Sequence, residues 1–314
     1  MDTFNIIKYD SSKAKLWDDF VDQAKNSYFF FKRGFMEYHS DRFQDHSLLI
    51  YKGNSLVALL PSHVSDNALN SHRGLTFGGF IVSDDLKVTG MYQIIEALKT
   101  YMKSEKLHKL VYKAMPNIYF KKPGDEDLFA LYKAGAKLVC RDITSVINIK
   151  NSIKIAKGRR SCIKKAKAAG IQVKESTDYE AYFRMIEKLL DEKYQAKPVH
   201  NAQEISLLNS RFPNNIKLYI SELNQKILAG VIVFIDERIV KTQYISSTEE
   251  GRAIGAVDII IDELLNNIYS NREFFDFGTS TAKTEIGFNE SLMQQKELFG
   301  ARAVVKDVYE LVCG

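Results

Sequence analysis

The strongest constraint on this chain is a passage of sequence that occurs twice. Residues 127–143 read DLFALYKAGAKLVCRDI, and residues 292–308 read LMQQKELFGARAVVKDV. A Gly-Ala pair, a valine and an aspartate superpose between the two copies with a constant offset of 165 residues, about half of the 314-residue chain. Because self-similarity at a fixed period marks a duplicated structural unit, we expect two similar domains rather than one large core.

The spacing of apolar residues predicts the same order of elements in both halves of the chain. In the first half we expect strands at 4–9, 47–51, 55–64, 69–82 and 109–114, helices at 13–26, 34–43 and 87–104, and then the first copy of the repeat, which ends near 149. In the second half we expect strands at 170–175, 216–223, 226–235, 239–246, 274–277 and 303–312, and helices at 178–194, 202–211, 256–268 and 289–300. The sequence therefore predicts an α/β (α+β) fold of two tandem domains, 1–150 and 151–314, each a mixed, mostly antiparallel sheet flanked by helices.

Composition narrows the class of protein. With 45% hydrophobic residues, 26% charged residues and a net charge of +5, the chain reads as an ordinary globular protein that favours anionic ligands without implying DNA. The sequence contains no apolar run of about 18 residues and no apolar signal segment at its start, so we expect a cytoplasmic protein without a membrane partner. Its three cysteines are widely spaced, which fits reduced thiols and predicts no metal site.

Short motifs around the second copy of the repeat point to a known family. They are Phe275-Asp276-Phe277-Gly278, Gly287-Phe288-Asn289 followed by Lys296, Phe299-Gly300-Ala301, and Arg160-x-x-Ile163-x-Lys165-Ala166 closing at Gly170. Their joint order, with the order of elements, resembles the GNAT acyltransferase superfamily, in particular its tandem-domain members related to Fem-type transferases. The resemblance implies two GNAT-like domains and transfer of an acyl group to an amine, as in nucleotide-sugar N-acyltransferases.

The resemblance also implies where an acyl donor binds. In the GNAT fold the fourth strand of a domain bends away from the fifth, its backbone N–H groups bind the thioester carbonyl, and the next helix N-terminus takes the pyrophosphate of coenzyme A. Here that strand is 242–247 and the following loop is 249–256, EEGRAIGA, which is otherwise interpreted as a polar loop capping a helix. The candidate residues for acyl-coenzyme A, expected in the second domain, are Ile245, Ser246, Ser247, Gly251, Arg252, Ala253, Ile254, Gly255, Ala256 and Asn289.

Lys296 is the first candidate catalytic residue. It falls on the same helical stripe as Leu292 and Phe299, which we expect to face the core. A cation on such a stripe breaks the binary pattern, and breaks of this kind concentrate at working sites. The alternative is a lysine whose stem covers apolar surface while its ammonium group reaches water.

Three further side chains are candidates for proton transfer or orientation. Asp276 follows an apolar strand and could tune Lys296 or orient the incoming amine, and Tyr244 could donate to the departing thiolate. His72 could serve as general base, since the ordinary pKa of histidine is about 6.5, although a lone histidine is more often structural.

Two segments are candidates for binding the acceptor. Within 71–79, SHRGLTFGG, the residues Phe77, Gly78 and Gly79 indicate close approach of a ligand or of another backbone. Residues 157–167, KGRRSCIKKAK, carry six basic side chains and no acid. This run is either a solvated helix face or a phosphate clamp in which Arg159 and Arg160 act.

The resulting hypothesis is an acyl-coenzyme A-dependent N-acyltransferase whose acceptor is the amino group of a nucleotide-linked amino sugar, used in surface-polysaccharide synthesis. One alternative is a Fem-type transferase that draws on aminoacyl-tRNA; the lack of aromatic residues among the basic ones of 157–167 disfavours it. The other alternative is a non-enzymatic binding module that keeps the fold.

Overall fold

The computed structural model describes residues 4–194, 199–282 and 287–313. Contacts divide the chain into two compact units, which we call unit 1 (Met1–Asp142 with Val305–Gly314) and unit 2 (Ile143–Val304). The chain leaves unit 1 within the strand Lys137–Asn148 and re-enters it within the strand Arg302–Val312. Among the described residues, no helix is both long and apolar enough to cross a membrane.

Unit 1 is built from short strands and one long amphipathic helix. Its elements in chain order are β1 (Phe4–Lys8), α1 (Ala14–Gln23), α2 (Arg33–Met36), β2 (Leu48–Lys52), β3 (Ser55–Leu60), β4 (His63–Ser65), β5 (Ala68–Asn70), β6 (Ile81–Val82), α3 (Val88–Ser104), β7 (Lys109–Lys113), α4 (Glu126–Lys133) and β8 (Lys137–Asn148), which continues into unit 2. The apolar stripe of α3 follows the 3.6-residue period and packs into the core of this unit with Met91, Ile94, Ile95, Leu98 and Met102.

The strands of unit 1 form two groups. β1, β2, β3 and β6 pair in that order and are all antiparallel. β4 pairs antiparallel with β5, β5 pairs parallel with β7, and β7 pairs antiparallel with residues 308–312 of the last strand of the chain.

Unit 2 is a larger sheet covered by helices. Its elements are α5 (Lys157–Ala168), β9 (Gln172–Ser176), α6 (Tyr179–Tyr194), α7 (Ala202–Arg211), β10 (Ile216–Leu223), β11 (Lys226–Ile235), β12 (Ile239–Ser247), α8 (Glu249–Ile254), α9 (Ala256–Glu263), β13 (Phe274–Thr279), α10 (Glu290–Glu297) and β14 (Arg302–Val312), which continues into unit 1. The strand order is β9, β10, β11, β12, β13 and then residues 144–148 of β8. In this order β12 and β13 pair in parallel, and the other neighbouring strands pair antiparallel.

The structure shows the duplication in three dimensions. The parallel pair of unit 1 runs from Ala68↔Lys109 to Asn70↔Val111, and that of unit 2 runs from Ile239↔Phe274 to Lys241↔Asp276. β7 and β13, α4 and α10, and β8 and β14 follow each other in the same order in both halves. Each repeated helix is followed within three residues by a glycine with positive φ (Gly135, +87°; Gly300, +96°), which explains the repeated Gly-Ala pair as a helix stop.

The second half of β8 lies in unit 2 and the second half of β14 lies in unit 1, so the repeats exchange part of their last strands. The division expected between residues 150 and 151 did not predict this exchange of strand halves, because pairing between distant segments leaves no local signal in the sequence. As a domain boundary it stays a prediction.

The predicted fold class is confirmed, and so are most elements, but several local predictions are corrected. The strand expected over 69–82 is two short strands, β5 and β6, with a turn between them in which His72 has a φ of +39°. The helix expected over 34–43 is the short α2 followed by a 3-10 turn, Glu37–His39. Leu292, expected in the core, is 40% exposed.

Candidate functional site

Unit 2 contains a parallel strand pair that opens. β12 and β13 pair at Ile239↔Phe274, Val240↔Phe275 and Lys241↔Asp276, and the described pairing between them stops there. From 242 to 247, β12 pairs with β11 alone among the described strands. Every second N–H of an antiparallel strand points away from its partner, so this segment presents backbone donors on the side facing away from β11. We call the segment 242–247 the open edge.

A β-bulge lies at the start of the open edge. Val233 of β11 pairs with Thr242, and the next residue back, Ile232, pairs with Tyr244, so Gln243 is the extra residue. An extra residue bends its strand and increases the local twist. The bulge therefore accounts for the departure of β12 from β13 directly after Lys241.

Tyr244 on the open edge is bonded to a histidine that sequence reasoning missed. The backbone N–H of His200 donates to the Tyr244 hydroxyl at 3.0 Å, and His200 Nδ1 lies 2.8 Å from the same oxygen. The Tyr244 ring also contacts Phe183, with ring centroids 5.7 Å apart. Burial raises the pKa of Tyr244 to about 12, which makes its hydroxyl harder to ionise than that of an ordinary tyrosine. His200 directly precedes Asn201, the N-cap of α7, and no local signal marks it as a partner of Tyr244.

Asp276 and Lys296 hold the same turn at the end of β13. Asp276 is 2% exposed, and its Oδ1 accepts hydrogen bonds from the Gly278 N–H at 2.7 Å and from the Thr144 hydroxyl. Lys296 Nζ donates to the carbonyl oxygens of Gly278 at 2.9 Å and Thr279 at 2.7 Å. Gly278 has a φ of +73°, a conformation that glycine adopts without strain.

Lys296 is the one buried residue of α10, at 6% exposure. The interpretation of a lysine whose ammonium group reaches water is therefore wrong, because the ammonium group is bonded to backbone carbonyls. These two bonds fix the course of the chain just beyond the strand opening. The catalytic roles of Lys296, Asp276 and Tyr244 stay predictions.

Lys241 lies where the strands separate. It is 5% exposed, its Nζ donates to Gln243 Oε1 at 2.8 Å, and its Cα pairs with that of Asp276. Side chains of directly paired strand residues lie on the same face of the sheet. This lysine was not among the predicted site residues, although a cation in an apolar strand is a visible break in the pattern.

The segment 249–256 differs from the loop that was expected. Residues Glu249–Ile254 form the short helix α8, and the Thr248 side chain caps it by accepting from the Gly251 N–H at 3.0 Å. A Cβ on Gly251 would lie 2.4 Å from the Leu228 carbonyl oxygen, and one on Gly255 would lie 2.8 Å from that of Cys162. The two glycines are therefore explained by close packing of protein backbone.

The other residues expected at acyl-coenzyme A take up varied positions. Ser246, Ser247 and Ala256 are buried, Ile245 is 38% exposed, Arg252 and Ala253 are exposed and Ile254 is half-buried. The Asn289 side chain accepts from the Leu292 N–H at 2.9 Å, so Asn289 is the N-cap of α10.

The basic helix α5 has two different faces. Arg159 points inward: its Nη1 lies 3.0 Å from Oδ1 of the buried Asp258 on α9, and its guanidinium carbon lies 5.0 Å from the centroid of the Phe299 ring. Lys157, Arg160 and Lys164 are exposed. Their spacing places them on one outer face of the helix. Arg159 therefore connects α5 to α9, and Arg160 remains the candidate for the phosphate clamp.

His72 lies in unit 1, in a group of stacked rings. Its ring centroid is 5.2 Å from that of His39, at an interplanar angle of 12°, and 5.4 Å from that of His63. Burial, followed by the nearby His39 and His63, lowers the pKa of His72 to about 2. At neutral pH the ring is neutral and a poor proton acceptor, so we leave His72 out of the proposed chemistry. In the part of the chain that the structure describes, no group of His, Cys, Asp or Glu side chains is placed to hold a metal ion.

The segment with Phe77, Gly78 and Gly79 packs inside unit 1. Phe77 is 1% exposed, and its ring centroid is 4.4 Å from that of Tyr119. A Cβ on Gly78 would lie 2.4 Å from the Ser71 carbonyl oxygen, and Gly79 combines a φ of +91° with the Tyr112 hydroxyl 2.7 Å from such a Cβ. Close approach of another backbone accounts for Gly78; acceptor binding by these residues stays a prediction.

Comparisons with known proteins support the fold. No family model matches the sequence, and no curated protein matches it. FemX matches with a TM-score of 0.70 at 11% identity, over 98% of this chain and 97% of its own. L-PGS from Bacillus licheniformis matches with a TM-score of 0.59 at 9% identity, over 96% and 92% of the two chains. A tandem GNAT protein from the clavulanic acid biosynthesis pathway matches with a TM-score of 0.52 at 10% identity, over 99% of both.

At these identities the likeness shows the fold alone. The chain has a tandem GNAT-like fold of the kind found in FemX, as the motifs around Asp276 and Lys296 suggested.

Proposed function

We propose that this protein transfers an acyl group to an amine, with the acyl carbonyl bound at the open edge of β12. The observation that carries the proposal is the end of the parallel pairing at Lys241↔Asp276. Backbone N–H groups aimed at a carbonyl oxygen stabilise the negative charge that develops there when a nucleophile attacks, and they need no reorganisation during the reaction.

The chemistry follows from the groups at this edge. The amine nitrogen forms a bond to the carbonyl carbon, the bond from that carbon to the leaving atom breaks, and the proton that the amine loses passes to water. The Tyr244 hydroxyl carries its proton at neutral pH, as that of an ordinary tyrosine does, so it is available to donate to the leaving atom. His200 Nδ1, 2.8 Å from that hydroxyl, is placed to exchange a proton with it.

Lys296 and Asp276 act as positioning residues in this proposal. Asp276 accepts a hydrogen bond from the Gly278 N–H, and Lys296 donates hydrogen bonds to the Gly278 and Thr279 carbonyls. They thereby keep the end of β13 away from the open edge.

For the donor and acceptor we infer acyl-coenzyme A and the amino group of a nucleotide-linked amino sugar in surface-polysaccharide synthesis. Both follow from the GNAT resemblance. The exposed cations on the outer face of α5, Lys157, Arg160 and Lys164, give unit 2 a surface that attracts phosphate groups.

A second candidate is an aminoacyl-tRNA donor, as in Fem-type transferases. The observation that favours it is the packing around Gly251 and Gly255: protein atoms fill the space that a glycine loop would leave for a pyrophosphate. An aminoacyl ester brings its carbonyl to the open edge without needing that loop.

The experiment is a paired turnover assay. The protein is incubated with acetyl-coenzyme A and a UDP-linked amino sugar, and in parallel with aminoacyl-tRNA and the same sugar, with thiol release and product mass as readouts. Thiol release with an acetylated sugar supports the first candidate, and an aminoacylated sugar supports the second. Absence of any transfer in both reactions, with folding checked by thermal melting, contradicts the acyl-transfer proposal.

A further inference from the structure

Unit 1 carries three cations that lie together at one end of β7. We call Arg73, Lys113 and Lys306 the cationic cluster. Lys113 is the last residue of β7 and pairs with Val308 of β14. Lys306 lies two residues before Val308, so it projects from the same face of β14 as Val308. Lys306 and Lys113 are therefore diagonal neighbours across the pair, within reach for two long side chains.

Arg73 is brought to the same place by a turn that Lys113 anchors. The Lys113 N–H donates to the Ser71 hydroxyl at 2.7 Å, and Lys113 Nζ donates to the Leu75 carbonyl at 2.5 Å. Arg73 lies between these two attachment points. It is exposed, whereas Lys113 and Lys306 are half-buried.

Within residues 4–194, 199–282 and 287–313, no carboxylate neutralises the cationic cluster. Among the described residues none of the three cations forms an ion pair, and the nearest acid along β14, Asp307, is already bound. Its two carboxylate oxygens accept from Arg141 at 2.7 Å each, and one of them also accepts from the Tyr309 hydroxyl at 3.1 Å. Burial, and then the charges of Lys306 and Arg73, lower the pKa of Lys113 to about 8. Like charges at close range disfavour one another's charged form, and an anion placed among them removes that cost.

The position of the cluster has a counterpart in the duplicated fold. In unit 1 the parallel pairing of β5 and β7 ends at Asn70↔Val111, just as that of β12 and β13 ends at Lys241↔Asp276 in unit 2. The cationic cluster thus lies beyond the end of one parallel pair, and the open edge lies beyond the end of the other.

We propose that the cationic cluster is a binding site for a phosphate group of an anionic ligand. The guanidinium of Arg73 supplies a planar pair of donors that matches two phosphate oxygens, and the two ammonium groups supply point charges at the half-buried side. This site is separate from the α5 surface, and it does not rest on the acyl-transfer proposal.

Titration calorimetry with inorganic pyrophosphate and with UDP, at low and at physiological salt, tests the site. Lys113→Gln and Lys306→Gln should each weaken binding by about tenfold or more, since each removes a charged donor. Lys109→Gln is the matched control: Lys109 begins the same strand and pairs with Glu310, so affinity should stay within about twofold. Equal affinities for pyrophosphate and UDP would mean that the site recognises the phosphates alone. Tighter binding of UDP would mean that the protein also contacts the nucleoside. Both outcomes support the site. No binding to the folded protein, or binding that neither substitution weakens, overturns it.

Sulfate supplies a second readout because it keeps two charges between about pH 6 and about pH 9. Its affinity should fall as the pH rises from about 7 to about 9, because Lys113 loses its proton in this range, whereas the neighbouring His63 and His72, whose pKa values burial lowers to about 4 and about 2, stay neutral throughout it. The Lys113→Gln variant should lose this pH dependence, and Lys109→Gln should keep it. An affinity of the wild-type protein that is independent of pH would overturn the proposal.

Discussion

Lys241 and Asp276 are the last residues that pair between the parallel strands β12 and β13. Both are buried, at 5% and 2% exposure, and each follows a buried apolar residue of its strand, Val240 or Phe275. Buried charges are costly unless they are bonded, and such sites concentrate at functional positions. The structure bonds them to Gln243 and to the Gly278 N–H, one on each side of the opening. The opening is therefore held by specific polar contacts on both strands.

The first prediction concerns Tyr244. Tyr244→Phe keeps the ring and its contact with Phe183 but removes the hydroxyl that His200 bonds. If this hydroxyl protonates the leaving atom, kcat should fall by about 10²-fold, with little change in KM for the donor. Steady-state kinetics of variant and wild type provide the measurement. Unchanged kcat would remove Tyr244 from the mechanism.

The second prediction concerns Lys296. Lys296→Met keeps an unbranched side chain, one atom shorter, but leaves the Gly278 and Thr279 carbonyls without their donor, so the free energy of unfolding should fall by about 1–3 kcal/mol. Because the end of β13 borders the opening, kcat/KM should fall at temperatures where the variant is still folded.

The matched control is Gln295→Met, one residue earlier on the exposed side of α10, which should change stability by less than about 0.5 kcal/mol. Urea unfolding of both variants provides the comparison. Equal stabilities of Lys296→Met and Gln295→Met would contradict the positioning role.

The third prediction separates the two faces of α5. Arg159→Met leaves the buried carboxylate of Asp258 without its cation, so the free energy of unfolding should fall by about 3 kcal/mol. Arg160→Met, on the exposed outer face, should leave stability nearly unchanged. Chemical denaturation checks both. A stability loss in Arg160→Met as large as that in Arg159→Met would contradict the assignment of inner and outer faces.

The fourth prediction concerns the histidine group of unit 1. Burial lowers the pKa of His39, lowers that of His63 to about 4 and lowers that of His72 to about 2. A lowered pKa in the folded state means that the unfolded chain binds protons first. Each neutral, buried ring therefore contributes its full share to the free energy of unfolding above about pH 6.5. That contribution is lost as the pH falls below this value, by at most about 1.4 kcal/mol per pH unit for each ring.

A buried carboxyl acts in the opposite direction: burial raises the pKa of Asp127 to about 6, so its protonation stabilises the fold as the pH falls. The test is therefore the difference between variants. His72→Asn, which tolerates the φ of +39°, should reduce the acid-induced loss of unfolding free energy between pH 6.5 and pH 4.5, and His108→Asn at an exposed position should not. Parallel profiles of His72→Asn and wild type would contradict the prediction.

Elements with local signals could be predicted from the sequence, and contacts between distant segments could not. The helix Ala202–Arg211 matches its prediction at both ends, and a capping box of Asn201 and Glu204 fixes its start. The β10–β11 hairpin matches because Asn224 and Gln225 both adopt positive φ in the turn. The helix α8 was missed although Thr248 supplies a visible cap.

At the candidate site, the strand opening and Asp276 came from the resemblance to the GNAT superfamily and from the apolar strand around them. The pairing of Tyr244 with His200 joins residues 44 positions apart, and no periodicity predicts it. The exchange of half-strands between the repeats is equally nonlocal. These features depend on tertiary packing, and local sequence patterns do not show which distant residues come into contact.

The most direct test of the central claim is a backbone amide NMR titration with acetyl-coenzyme A, followed by the same titration with aminoacyl-tRNA. If the acyl carbonyl binds at the open edge, one of the two donors should shift the amide signals of residues 243–247 at concentrations that leave the signals of β9 and β10 in place. Shifts confined to other parts of the chain, or none with either donor, would contradict the proposal that acyl transfer takes place where β12 leaves β13.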